Sequence, residues 1–343
     1  MVDVYSPFKA AHHVERILTL RNGGLIYPTQ IQVDITNECN HHCRYCFSQF
    51  TIGNTSDKID TTVMLKLLDD ARDLDMRSFL YTGGGEPFKH DNIYEILERT
   101  IANNLDYAMV TNGSLIDFSR EDLLKKMSWI RISLDAVDYK MYRSLRGVDE
   151  FDKAIGIVSE FSSRCPDTVL GISFVINPIN YPKITEFARM GKKLGVDNVR
   201  FSIAWFPSRD GAYPFDEIDT LLDEAKELQT KDFKVFDLTK GRLVNLSLEG
   251  KEYTSCGYQH FTTVIGANSN IYPCCTLKYQ SEASFGDLKE QSFKDIWTGE
   301  KRINWLKRNY LAEVCSNNVC WMEEKNKFID YLTTKNPKHV NFI

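Results

Sequence analysis

The sequence predicts an α/β protein: a partial TIM-type barrel of six strand-helix units, (β/α)6, followed by a small carboxyl-terminal α+β domain that carries cysteines. Three observations predict it. Before residue 210, short segments rich in Val, Ile and aromatic residues alternate with segments of helical period, the pattern of parallel strands joined by right-handed crossovers. After it the alternation stops. The nine cysteines also divide, with one group directly behind the first strand and another beyond residue 250.

The expected strands are Ile31 to Thr36, Ser78 to Thr82, Tyr107 to Thr111, Trp129 to Leu134, Val169 to Ile176 and Asn198 to Ala204. Between them, Thr61 to Leu74, Asn92 to Asn103, Ser119 to Lys126, Phe151 to Phe161 and Tyr181 to Leu194 have helical spacing, and Asp60 and Asp117 stand where helix caps belong. Pro214 to Lys231 reads as an amphipathic helix, and Phe233 to Asp237 and Leu243 to Leu248 as short strands. Farther on, Thr262 to Gly266 and Ile271 to Pro273 flank Asn268-Ser269-Asn270 as a hairpin. The division that follows is an amino-terminal extension over 1–30, a core over 31–210, a connecting helix and strands over 211–250, and a separate appendage over 251–343.

With 343 residues, 43% hydrophobic and 26% charged, the chain has the composition of a globular protein with a sizeable core. A formal net charge of -5 argues against a strongly electrostatic nucleic-acid binder. No apolar run is long enough to span a bilayer, and the amino terminus has no secretion pattern, so a cytoplasmic location is expected. An odd number of cysteines in that setting points to metal ligation instead of disulfides.

Cys39, Cys43 and Cys46 follow the first expected strand in the run Asn37-Glu38-Cys39-Asn40-His41-His42-Cys43-Arg44-Tyr45-Cys46. Three thiolates so close together suit three irons of a 4Fe-4S cluster and leave the fourth iron open. A structural zinc site would need a fourth ligand, and no further Cys or well-spaced His pair lies nearby. His41 and His42, between the cysteines, are expected to point outward. Behind the second strand comes Thr82-Gly83-Gly84-Gly85-Glu86-Pro87, whose glycines let a backbone come close to a ligand.

The C-x3-C-x2-C spacing followed by this glycine loop resembles the radical S-adenosylmethionine (SAM) superfamily. The resemblance implies the (β/α)6 core, with chemistry at the carboxyl ends of the strands, and a cluster whose open iron chelates SAM. An electron from the cluster then cleaves SAM to methionine and a 5'-deoxyadenosyl radical that takes hydrogen from carbon. It further implies SAM contacts from Gly83, Gly84, Gly85 and Glu86, from Asn112 after the third strand, and from Ser133 and Asp135 closing the fourth. Arg146 matches a position whose guanidinium pairs with the SAM carboxylate, and Tyr45 the aromatic residue beside adenine.

Cys256, Cys274, Cys275, Cys315 and Cys320 form the second set. A hairpin flanked by cysteines, with a later pair before a helix, resembles the twitch domain, the shortened relative of the SPASM domain. That implies a second, auxiliary 4Fe-4S cluster on Cys256, Cys274, Cys315 and Cys320, with a four-cysteine zinc site as the competing reading. Cys275 is left as a substitute for Cys274, an inert side chain or a hydrogen-atom donor to substrate. Cys165 reads as a surface thiol, and Trp205 to Arg209 as either cavity lining or core.

The expected function is hydrogen abstraction from a carbon of a small molecule (an amino sugar, nucleoside or amino-acid derivative), giving oxidation, epimerisation or rearrangement, with a flavodoxin- or ferredoxin-type reductant. Maturation of a ribosomally made peptide is the alternative; only thirty residues before the first strand leave little room for a recognition domain. A non-catalytic iron-sulfur carrier is disfavoured by the open-iron triplet. A molybdopterin-type cyclase is disfavoured by the absence of its carboxyl-terminal cysteine pattern and of a Gly-Gly tail.

Overall fold

The computed structural model describes residues 6–52, 55–204, 213–239, 253, 255–308, 315, 320 and 322–335. The expected strand Leu243 to Leu248 and the group Trp205 to Arg209 lie outside the described residues.

Six strands alternate with helices as the pattern requires: β1 (Gln30–Asp34), β2 (Ser78–Thr82), β3 (Asp106–Thr111), β4 (Trp129–Ser133), β5 (Val169–Ile176) and β6 (Asn198–Ile203). All pair in parallel in chain order. Helices α1 (Val14–Arg21) and α2 (Phe47–Thr51) come first in their places, then α3 (Thr61–Asp73), α4 (Ile93–Ala102), α5 (Glu121–Leu124), α6 (Tyr139–Arg146), α7 (Phe151–Arg164), α8 (Ile184–Lys193) and α9 (Phe215–Glu227). Strand alternation does the sorting. Ile130 and Ile132 are buried with the core, while Arg131 and Ser133, between and after them, are half-buried on the opposite face. Phe174, Phe187 and Phe201 interlock where β5 and β6 meet α8.

The sheet is larger than the six strands expected. β7 (Lys234–Asp237) pairs in parallel with β6, and β8 (Thr262–Ile265) pairs in parallel with β1 at the other side. β9 (Asn270–Tyr272) and β10 (Gly286–Asp287) then add antiparallel, giving one ten-stranded sheet in the order β10-β9-β8-β1-β2-β3-β4-β5-β6-β7. The expected hairpin is present as β8 and β9, but periodicity sees a four-residue strand and not its distant partner, so neither the pairing of β8 with β1 nor that of β7 with β6 could be read from it.

The carboxyl-terminal part packs closely against the barrel. Phe285, Phe293, Trp297 and Trp305 share one continuous core with Ile31, Val33 and Phe79. The amino-terminal segment is also built in: Ile17 and Ile26 pack with Phe261 and Ile329, and Trp297 Nε1 donates to the Ile26 carbonyl at 2.8 Å. Cys165 is 1% exposed and belongs to the core, because it caps α7 with its N–H on the Phe161 carbonyl, directly behind the buried face of that helix. Among the described residues, no helix is long and apolar enough to cross a membrane.

Candidate functional site

Parallel strands bring their carboxyl ends to one rim, and the loops behind β1, β2, β3 and β4 meet there. The cysteine loop after β1 is clamped from two sides. On one side is the glycine loop: Gly85 N donates to the Thr36 carbonyl at 2.9 Å and Glu86 N to the Glu38 carbonyl at 2.8 Å. A Cβ on Gly84 would stand 2.0 Å from Asn37 Oδ1, and one on Gly85 2.0 Å from the Glu38 carbonyl oxygen. The missing side chains thus admit the backbone of the cysteine loop, a neighbour that the ligand reading had overlooked.

On the other side is α6, a short amphipathic helix that the periodicity does not reveal. Its signals were nonetheless present: Asp138 accepts from Met141 N at 2.9 Å as the cap, and Gly147, at φ 72°, ends the helix. His42 N donates to the Arg146 carbonyl at 3.1 Å and Arg44 N to the Leu145 carbonyl at 2.8 Å. The cysteine loop so satisfies carbonyls that a helix end leaves open. A Cβ on Gly147 would meet the His42 carbonyl oxygen at 2.8 Å.

Glu86, expected on SAM, is 2% exposed and serves the loops. Its carboxylate accepts from Phe88 N at 3.2 Å, from Thr111 Oγ1 at 2.5 Å and from Asn112 N at 2.7 Å. Burial raises its carboxyl above the usual range, and the donors Thr111, Asn112 and Phe88 oppose that rise. Asn112 is likewise engaged: Nδ2 donates to Asn40 Oδ1 at 2.9 Å, and Oδ1 accepts from Ser114 N and Oγ at 2.9 and 2.8 Å. Asn40 Nδ2 donates to Ser114 Oγ at 2.8 Å, which closes the ring.

Ser133, Asp135 and Arg146 do come together, through one another. Arg146 donates to Asp135 Oδ2 at 3.0 Å and to the Ser133 carbonyl at 2.6 Å, while Asp135 Oδ1 accepts from Val175 N at 2.7 Å. Asp135 holds φ 62°, the left-handed turn that swings its carboxylate back over β5. Arg146 is 7% exposed, and its fork is taken by protein oxygens instead of being turned out for a ligand carboxylate. Its charge opposes the burial that pushes the Cys43 thiol up to about 11.

Of the two histidines, His42 is exposed as expected, whereas His41 turns inward at 3% exposure. Its Nε2 lies 3.2 Å from Glu150 Oε2 and its ring meets Tyr142 edge-on. Burial, with Arg146 adding to it, drives its pKa down to about 4, so the neutral ring donates to Glu150. Tyr45 is half-buried between Cys43 and Cys46.

The donors fit iron-sulfur clusters. Cys39, Cys43 and Cys46 lie within electrostatic reach of one another, and Cys256 lies within reach of both Cys315 and Cys320, with Cys274 within reach of Cys256 and Cys275. All nine cysteines are free. Burial pushes the Cys256 thiol up to about 12 and raises Cys274 well above the ordinary range, an ionisation cost that bound iron offsets. Among the described residues, no three Cys, His, Asp or Glu side chains converge on one ion-sized point. In a cluster each sulfur takes a separate iron, so convergence is not required. Asn326 Nδ2 donates to Cys320 Sγ at 3.7 Å and its Oδ1 accepts from Tyr258 N at 2.9 Å, joining the later cysteines to the helix Glu323–Thr333.

Residues 33–191 match the radical SAM superfamily and residues 256–321 an iron-sulfur cluster-binding domain, SPASM. The chain is 25% identical over 333 residues to the tungsten-containing aldehyde ferredoxin oxidoreductase cofactor-modifying protein of Pyrococcus furiosus, covering 87% of this chain and 89% of that one. Similarity to the PqqA peptide cyclase of Granulibacter bethesdensis is 23% over 286 residues, 79% of this chain and 74% of the relative. A probable GTP 3',8-cyclase of Saccharolobus islandicus is 27% identical over 195 residues, 56% of this chain and 61% of the relative. The structure of Streptococcus suis SuiB bound to S-adenosylmethionine superposes with a TM-score of 0.67 at 18% identity, covering 87% of this chain and 73% of SuiB. SuiB bound to its precursor peptide SuiA gives 0.65 at 18% identity, over 87% and 71%. Those two likenesses show the shared fold.

Proposed function

As a member of the radical SAM superfamily with an iron-sulfur cluster-binding SPASM domain behind its core, the chain is an enzyme that works with SAM and two 4Fe-4S clusters, and we propose that it takes hydrogen from a carbon of a peptide. When bound and reduced, the first cluster supplies the electron that cleaves SAM to methionine and the 5'-deoxyadenosyl radical. Cys39, Cys43 and Cys46 hold that cluster. Cys256, Cys274, Cys315 and Cys320 hold the second. The half-buried backbone of Gly83 to Gly85, the Ser133 side chain and Tyr45 face SAM, while Glu86, Asn112, Asp135 and Arg146 keep the loops in position around it. Cys275, within electrostatic reach of Asp34 at the carboxyl end of β1, is the candidate hydrogen-atom donor to substrate. Electrons come from a flavodoxin- or ferredoxin-type protein in the cytoplasm.

What supports a peptide is how far the resemblance runs. The match to the PqqA peptide cyclase spans 79% of this chain, whereas the match to the probable GTP 3',8-cyclase spans 56%. A small molecule stays as the second reading, supported by the match over 87% of the chain to a protein named for modifying a cofactor.

The test is anaerobic. The reconstituted protein is given SAM, dithionite and either peptides encoded beside its gene or small-molecule candidates, and 5'-deoxyadenosine and product masses are followed. The peptide reading expects one peptide to lose hydrogen mass and to stimulate 5'-deoxyadenosine formation about tenfold. Stimulation by a small molecule with every peptide unchanged contradicts it.

A further inference from the structure

The mouth of the barrel holds a buried ion pair that the chemistry above does not use. Asp34, the last residue of β1, is 0% exposed and stands five residues before Cys39. Lys278, 7% exposed and three residues after Cys275, donates to Asp34 Oδ2 at 2.5 Å. Tyr279 Oη donates to the same oxygen at 3.2 Å or to Asn37 Oδ1 at 3.0 Å, and accepts from Ala267 N at 3.0 Å. Asn37 Oδ1 is also the atom that a Cβ on Gly84 would strike. One side chain therefore touches the glycine loop, the first cysteine loop and the residues behind the second cysteine set.

Two features set this contact apart from ordinary packing. Tyr279 holds φ 65°, a left-handed conformation that a bulky aromatic residue adopts only when its surroundings impose it. A buried ion pair is a poor source of stability compared with apolar packing, and its best-attested use is to fix register. The pair joins residues far apart in sequence. Cys275 lies within electrostatic reach of Lys278 and Asp34 as well as of Cys320, which ties the network to the second thiol set, while Asn37 ties it to the first cysteine loop.

We propose that Asp34, Asn37, Lys278 and Tyr279 form a strut that fixes the two cluster-bearing loops in one register, so that they position the two iron-sulfur centres relative to each other and to the substrate between them. Tyr279 and Lys278 carry the auxiliary side, Asp34 and Asn37 the SAM side. These are positioning residues.

The test is spectroscopic. Lys278→Met, Lys278→Arg and the double variant Asp34→Leu/Lys278→Leu are reconstituted anaerobically, iron is counted, and the magnetic interaction between the two reduced clusters is measured by pulsed electron paramagnetic resonance. Lys278→Met is expected to keep the iron of both clusters, to change the interaction, and to slow substrate turnover about 10- to 100-fold, the penalty for a misplaced reacting pair. Lys278→Arg restores the wild-type interaction. If Lys278→Met loses iron, the double variant, which buries no lone charge, is expected to regain the iron but not the wild-type interaction. A wild-type interaction in Lys278→Met or in the double variant, or an equally altered one in Lys278→Arg, overturns the strut.

Discussion

The two cysteine sets are held by different means. Cys39, Cys43 and Cys46 lie in one unbroken loop whose backbone is hydrogen-bonded to the glycine loop and to the end of α6. Cys256, Cys274, Cys315 and Cys320 come from separated stretches, and Asn326 is a tie between the last of them and the residues behind the first. The first set is preorganised by the barrel. The second gathers its residues from distant stretches, with Cys256, Cys274 and Cys315 packed against the main core, so a bound cluster would join segments that the sequence separates. The difference suits their uses, since a site that must present an open iron to SAM gains from fixed geometry, whereas a fully ligated cluster closes its own site.

Overfilling the contact between the loops breaks this comparison hardest. Gly85→Ala presses a Cβ to 2.0 Å from the Glu38 carbonyl oxygen, and is expected to cost about 1–3 kcal/mol. Thermal unfolding together with an iron count checks it: iron is lost from the first set and kept by the second.

Glu86→Ala is next. It strands the buried Asn112 N–H and takes an acceptor from Phe88 N and Thr111 Oγ1, for about 2 kcal/mol. Denaturant unfolding measures the loss. SAM binding is expected to weaken through disorder of the loops, not through a missing contact, so the effect should appear equally in the iron content of the first set.

The smallest effect sharpens the other side. Burial, aided by the positive Arg302, depresses the His260 pKa from 6.5 to about 4, so the folded state holds the ring neutral while the unfolded chain protonates it. That contribution is whole above pH 6.5 and is lost as pH falls toward 4, by about 1–2 kcal/mol once partial exposure is allowed for. Stability against pH should be flatter in His260→Gln over that window. An unchanged slope would remove His260 from the account.

Much of the core was legible from strand patterns: Val169–Ile176, buried on both faces over most of its length, and Ser78–Thr82, whose burial alternates, both end where the sequence places them. Helix α6 escapes a reading by period because it has only about two turns, although Asp138 and Gly147 mark its ends. The cysteine spacing is the source of both proposed ligand sets. What spacing could not give is the direction in which a side chain turns. His41, Glu86 and Arg146 were expected to face outward or toward a ligand, and each is bound by a partner tens of residues away or across a loop. Asp34 and Lys278 lie 244 residues apart, and no local pattern joins them.

The central claim is that the chain holds two clusters, of which only the first is open to SAM. Two variants isolate them: Cys256→Ala/Cys320→Ala leaves the first, and Cys39→Ala/Cys43→Ala/Cys46→Ala leaves the second. The electron paramagnetic resonance spectrum of each, reduced and recorded with and without SAM, tests the claim directly. The account predicts that SAM shifts the signal of the first-cluster protein and leaves that of the auxiliary-cluster protein unmoved. A SAM-induced shift in the protein that lacks Cys39, Cys43 and Cys46, or none in the protein that keeps them, would contradict it.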